Sequence, residues 1–322
     1  MKIIPPPDPN PVKPNWKLPP GACDAHCHIY GPAARFPYVP GTPYLPPDAG
    51  FEQLRALHDH LGIARAVIVH AAPHGTDMRV TLDGIARSGG AYRGVAVVKP
   101  DISDRELEDL HAGGIRGIRY NFVAHLGGAP QLPDFERMLQ RIKPLGWHVV
   151  LHFDAKDIPG HADLIRRIPV PFVVDHMGRV EASAGLDQAP FRILLDLMKN
   201  PLAWVKVCGS ERVSSQGKPF HDAIAFARAL MEAAPDQILW GTDWPHPNVK
   251  WMPNDGELVN LFALFTDNET LRRKVLVDNP TRLYWNEGVN ELPEQQHEAM
   301  GRFGQRYVDG IEQLDNQEKG KS

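Results

Sequence analysis

The sequence predicts an α/β fold, a (β/α)8 TIM barrel, on three observations. Eight short apolar runs recur along the chain, most of them continuous, as strands buried on both faces of a parallel sheet are. Between them lie segments whose apolar residues fall at helical spacing. Several of the runs end in histidine or aspartate, and in such a barrel the C-terminal strand ends carry the chemistry. An open doubly wound sheet competes, but no G-x-G-x-x-G follows the first strand. At 322 residues the chain has the length for one barrel domain, and no internal repeat or low-complexity linker marks a second.

Residues 1–20 hold eight prolines, which exclude helix and central strand, so an extended N-terminal arm is expected. The first strand, 22–28, contains Cys23-Asp24-Ala25-His26-Cys27-His28. Side chains two apart share a strand face, so His26 and His28 project together as half of a metal site. Cys23 and Cys27 fall on the opposite face and read as packing residues. A loop from Tyr30 to Gly50 follows; loops of that length are functional or disordered, and Tyr30, Tyr38 and Tyr44 favour one that covers a site.

Phe51, Leu54, Leu57 and Leu61 then give a helix closed by Gly62. Strand 66–70 follows, then a helix near 79–88 and strand 94–99. Ser103-Asp104-Arg105-Glu106 is a capping box that opens a helix ending at Gly113-Gly114. Four further units are expected: strand 116–122 with a helix near 133–143, 148–153 with 160–167, 171–176 with 190–199, and 203–208 with 219–233. Strand 237–243 precedes a helical region from 255 to about 280. The barrel domain is placed at 21–288, between the arm and a tail, 289–322. In that tail Met300, Phe303, Tyr307, Val308, Ile311 and Leu314 form the stripe of an amphipathic helix. Gly301, Gly304 and Gly310 weaken that helix, so the tail is read as helical or disordered; if helical, the stripe docks on the barrel or on a second copy, which makes a homo-oligomer possible.

Composition narrows the function classes. A net charge of −4 without a basic block argues against nucleic acid as partner. The longest apolar runs fall short of the ~20 residues of a membrane helix, and the proline-rich start has no signal-peptide core. Three cysteines make no disulfide framework, so a reduced, cytoplasmic protein is expected.

The polar residues gather at the strand ends. Strand 1 offers His26 and His28, strand 2 leads to His70 and His74, and strand 4 carries Arg119. Strand 5 ends in His152, strand 6 in His176 followed by Arg179, strand 7 leads to Arg212, and strand 8 ends in Asp243. His26, His28, His152 and Asp243 would supply the donors of one divalent metal with a position left open. Three nitrogens and one oxygen favour zinc, with manganese second. His176 is left as a base or carbonyl-polarising group, or as a further ligand. Each residue has a plainer reading: His152 as a packed core side chain, Asp243 as a turn cap, the arginines as surface ion pairs. His70 and His74 read as hydrogen-bonding groups. Three arginines reaching one mouth from different strands point to an anionic substrate.

Together these motifs resemble the amidohydrolase superfamily, in its 2-pyrone-4,6-dicarboxylate lactonase branch. They are Asp24 to His28 with Gly31-Pro32, Gly75-Thr76-Asp77, Gly117 to Phe122, Asp175-His176-Met177-Gly178-Arg179, Trp240 to Pro247, and Asn279 to Trp285. The resemblance implies a lactone-opening hydrolase of aromatic-compound catabolism. Asp243 and His176 would be catalytic, and Arg119, Arg179, Arg212, His74, Thr76, Tyr44 and His125 would touch the substrate. Two departures stand out. The pyrone lactonases work without metal and resemble tyrosine users at the strand-5 position, where this chain has His152; the resemblance thus restores a metal set. Their arginine clamp after strand 4 is replaced here by His125, so a carboxy- or sulfo-muconolactone fits the remaining arginines as well as the dicarboxylate pyrone. A metal-dependent decarboxylase of an aromatic or muconate acid uses the same donor set and is the alternative. A silent barrel acting as a binding protein is disfavoured by the cost of burying five titratable groups without a use.

Overall fold

A computed structural model describes residues 2–123 and 128–286. Eight parallel strands follow one another in sequence order around the sheet. They are β1 (Cys23–Cys27), β2 (Arg65–Val69), β3 (Tyr92–Ala96), β4 (Ile115–Asn121), β5 (His148–His152), β6 (Phe172–Val174), β7 (Ala203–Lys206) and β8 (Ile238–Leu239). The sheet closes on itself: the Ala25 amide donates to Trp240 O at 2.9 Å, and the Asp243 amide donates to His26 O at 2.8 Å. The expected (β/α)8 barrel is the fold. β6 and β8 are shorter than the sequence suggests, because the chain leaves the sheet early to build the turns that carry His176 and Asp243.

Around the barrel lie α1 (Phe51–Leu61), α2 (Arg79–Arg87), α3 (Asp104–Ala112), α4 (Leu132–Ile142), α5 (Ile158–Arg166), α6 (Ala189–Leu197), α7 (Ile224–Ala233) and α8 (Asp255–Ala263). α1 turns Leu54, Leu57 and Leu61 inward and ends at Gly62, whose φ of 84° is cheap only for glycine. α3 opens with the expected capping box between Ser103 and Glu106. α7 starts later than expected because a 3-10 turn, His221–Ala223, precedes it. Beyond α8 the expected helical stretch breaks into Glu269–Arg273, a π turn at Lys274–Asp278, and Asn279–Tyr284.

The barrel interior is packed rather than open. Val67, Val69, Val95, Val150, Val173 and Leu239 belong to one buried cluster with Tyr284. The Tyr284 ring stands 5.1 Å from that of His148, the first residue of β5, and plugs the N-terminal mouth. Function is thereby confined to the C-terminal mouth, as barrel geometry requires.

The N-terminal arm is extended, as the prolines demand, but it is tied down. Lys2–Ile3 pairs in parallel with Tyr44–Leu45 of the long loop, and Ile4 and Leu18 are buried. The Asn254 side chain accepts from the Val12 amide and donates to Asn10 O, both at 2.9 Å, while it also caps α8. Tyr30 and Tyr44 are buried in the loop, with their hydroxyls 3.0 Å apart. Among the described residues no helix is long and apolar enough to cross a membrane. His125 and the whole tail, 289–322, with its apolar stripe from Met300 to Leu314, lie outside the described residues.

Candidate active site

Parallel strands place their C-terminal side chains in one ring, and His26, His28 and Asp243 meet there. Their donor atoms lie within 4.8 Å of one another. His28 Nδ1 donates to Val69 O at 2.7 Å, which leaves the Nε2 lone pair free to face Asp243 Oδ1 at 3.2 Å. His26 Nε2 is buried without a hydrogen-bond partner and stands 3.5 Å from the same Oδ1. Two nitrogens and one oxygen converging on one point, one of them an orphaned buried atom, fit a divalent cation. His152 is not in this trio. Its Nδ1 sits 3.0 Å from Asn121 Oδ1, and its Nε2 faces Arg179 Nη1 at 3.4 Å.

Behind the trio is a buried layer that the sequence reading passed over. Lys206, the last residue of β7, is fully buried and places Nζ 3.0 Å from both His26 Nδ1 and Asp175 Oδ1. Asp175 also meets His26 Nδ1 at 3.2 Å and Arg119 Nη2 at 2.9 Å. Burial pushes the Asp175 carboxyl up, but Lys206, His26 and Arg119 outweigh it and hold it well below the usual range. Burial, reinforced by Lys206, takes His26 down to about 4, so its imidazole is neutral at pH 7. A lysine inside an otherwise apolar strand, Trp204-Val205-Lys206-Val207, was the available signal.

A cavity of about 420 Å³ opens above these groups. His28, His152, His176 and Asp243 line it, together with Arg119, Arg179, Arg212 and Tyr44. The arm adds Lys2 to its wall. Each arginine already has an acidic neighbour: Arg119 has Asp175, Arg212 has Asp243, and Arg179 has Asp154 at 3.0 Å. Burial above all, and then the nearby Arg212, lower the Arg179 pKa against the pull of Asp154 and Asp243. His74 and Thr76 are not in the cavity lining. His74 Nε2 takes the Gly31 amide at 3.4 Å, and Thr76 lines a separate groove beside α2 and α3. His70 hydrogen-bonds Thr81, as a structural polar group does.

His176 and Asp243 sit on unusual backbone. His176, Met177 and Arg179 after β6, and Asp243, His246 and Asn248 after β8, have φ between 52° and 65°. Left-handed residues other than glycine cost energy and cluster at functional sites. The His176 ring lies 4.7 Å from that of His26 and 5.7 Å from that of His152. Burial pushes both His152 and His176 well below the ordinary histidine range, so both are neutral.

A closed (β/α)8 barrel with paired histidines at the end of β1 and an aspartate after β8 defines a class of hydrolytic enzymes. The chain belongs to the amidohydrolase family, whose profile matches residues 23–285. It is 47% identical over 290 residues to 2-pyrone-4,6-dicarboxylate hydrolase of Comamonas testosteroni, covering 87% of this chain and 95% of that one. It is 43% identical over 274 residues to 4-sulfomuconolactone hydrolase of Rhizobium radiobacter, covering 84% and 92%. A solved structure assigned as a 2-pyrone-4,6-dicarboxylic acid hydrolase from Acinetobacter baumannii, with citric acid bound, matches at a TM-score of 0.72 and 25% identity. That match covers 82% of this chain and 99% of the other. Members of the family typically bind a divalent metal.

Proposed function

We propose that the protein hydrolyses an anionic cyclic lactone of aromatic-compound catabolism, of the 2-pyrone-4,6-dicarboxylate or sulfomuconolactone type. The observation that carries this reading is one cavity in which Arg119, Arg179 and Arg212 stand beside His28, His176 and Asp243. The names of the relatives agree with it, and so does the polycarboxylate held by the Acinetobacter baumannii protein.

A carboxylate or sulfonate on the substrate docks at Arg179, relieving its crowding by Arg212 and fixing the ester carbonyl beside His176 and Asp243. Burial alone would raise the Asp243 carboxyl. Arg212 above all, with His176, outweighs it and keeps the group ionised. Asp243 takes a proton from water as the water oxygen bonds to the carbonyl carbon, then passes it to the ring oxygen as the acyl–oxygen bond breaks. His176 donates to the carbonyl oxygen as negative charge develops there. His26, His28 and Asp243 would hold one divalent ion, for which zinc is the best match, and the ion supplies Lewis acidity toward water and carbonyl.

The test is turnover by the purified full chain of 2-pyrone-4,6-dicarboxylate, 4-sulfomuconolactone and a neutral lactone, with products read by NMR. A ring-opened acid from an anionic lactone is the expected product. Carbon dioxide release, or no turnover of any of the three, would overturn the reading.

A further inference from the structure

The mechanism leaves one reactive side chain at the site unused. Cys208 lies just beyond β7, is 2% exposed, and places Sγ 3.3 Å from His176 Nδ1. It forms no disulfide: Cys23 and Cys27 are likewise free thiols.

We propose that Cys208 is a positioning residue whose thiol donates to His176 Nδ1 and so keeps the imidazole proton on Nε2, toward the cavity. The inference rests on the reading above, in which His176 donates to the carbonyl oxygen. A neutral imidazole has one N–H and one lone pair, and it can act as that donor only if the proton is on the cavity-facing nitrogen. The direction of the bond follows from acceptor strength. An imidazole lone pair is a good acceptor and thiol sulfur a weak one, so the pair is S–H to N rather than N–H to S. Burial, with Asp243, Asp175 and Glu211 nearby, keeps the thiol protonated.

The backbone holds this edge of the ring in place. A Cβ built on Gly209 would lie 2.9 Å from both His176 Cβ and Nδ1, at a φ of +72°. Glycine therefore lets the chain after Cys208 close against the imidazole, with the thiol as the polar group facing Nδ1. His176 itself is 2% exposed and has a φ of 52°, which limits its rearrangement. Cys208 Sγ, His176 and His26 also lie close enough to hold a soft metal together, and the test must separate that role.

The experiment uses the full chain labelled with 15N-histidine, with the His176 signals assigned against His176→Gln. Nitrogen shifts report the tautomer whether or not any lactone is turned over, so failure of the lactone reading and failure of this inference are distinguishable. Wild type and Cys208→Ser, which keeps a donor, should both show the Nε2–H form. Cys208→Ala, or Cys208→Val if the alanine variant does not fold, should show a mixture. Its kcat for the lactone that is turned over should fall roughly 10-fold with little change in KM, short of the ~10²–10³ lost with a whole oxyanion donor. An Nδ1–H tautomer in the wild type would overturn the inference. So would an unchanged tautomer in the alanine or valine variant, or loss of bound zinc in Cys208→Ser, which would make Cys208 a ligand instead.

Discussion

Arg212 holds Asp243 by one oxygen and leaves the other to the histidines. Its Nε donates to Oδ2 at 3.0 Å, while Oδ1 stands 3.2 Å from His28 Nε2 and 3.5 Å from His26 Nε2. The arginine is thus a partner of the proposed base as well as a wall of the cavity. Arg212→Met should let the Asp243 carboxyl rise toward the value that burial favours. The base would then be protonated at higher pH, and the acid limb of the pH profile of kcat/KM should move upward. An arginine that only bound substrate would raise KM and leave that limb where it is.

Metal content gives a second test. Protein purified without chelator should carry about one divalent ion per chain, measured by inductively coupled plasma mass spectrometry. Asp243→Asn should lower that content. His152→Tyr should not, because its ring nitrogens face Asn121 and Arg179 rather than the trio. Loss of the ion in His152→Tyr would restore the four-ligand set expected from the sequence.

Arg179 is the arginine best placed to capture substrate, with its side chain 24% exposed and its guanidinium near Arg119 and Arg212. Arg179→Met should raise KM for an anionic lactone roughly 10- to 100-fold, at or below the weak end of the ~2–5 kcal/mol for truncating one side of a buried charge pair, because Arg179 is partly exposed. A neutral lactone should be affected little. Initial-rate kinetics on the two substrates separate recognition from scaffolding.

Acid stability is set partly at the closed end of the barrel. His148 is fully buried, and burial together with Lys206 takes its pKa from 6.5 to about 3. Below pH 6.5 the unfolded chain binds a proton there that the folded chain refuses. Stability is therefore full above that pH and is lost as the pH falls toward the folded value. Denaturant midpoints should drop on acidification. In His148→Leu the dependence should be shallower by up to about 1.4 kcal/mol per pH unit, one proton's worth. An unchanged slope would show that His148 does not titrate on unfolding.

Most of the barrel was legible because buried parallel strands are written as uninterrupted apolar runs, such as Ala66-Val67-Ile68-Val69. The capping box at Ser103 and the glycine stop at Gly62 were legible for the same local reason. Strand ends were less so, since β6 and β8 yield to turns whose φ values no apolar pattern encodes. The ring of site residues at the mouth followed from strand order alone. What sequence could not supply was pairing across the barrel: Lys206 with His26, Asp175 with Arg119, and Cys208 with His176. His74 and Thr76, expected on the substrate by resemblance, are instead set back from the cavity lining. The arm read as a surface strap, and its composition gave no hint that Lys2 reaches the cavity.

That reach matters at the bench. Lys2 stands in the cavity wall, held there by strand pairing to Tyr44–Leu45. Any peptide fused ahead of it begins beside that cavity. An N-terminal polyhistidine tag would bring extra imidazoles and bulk beside the cavity that His28 and Asp243 line, where they would compete for the proposed ion and substrate. Kinetics and metal analysis on such a fusion would describe the tag as much as the enzyme, so affinity handles belong at the other end or behind a protease site cleaved before assay.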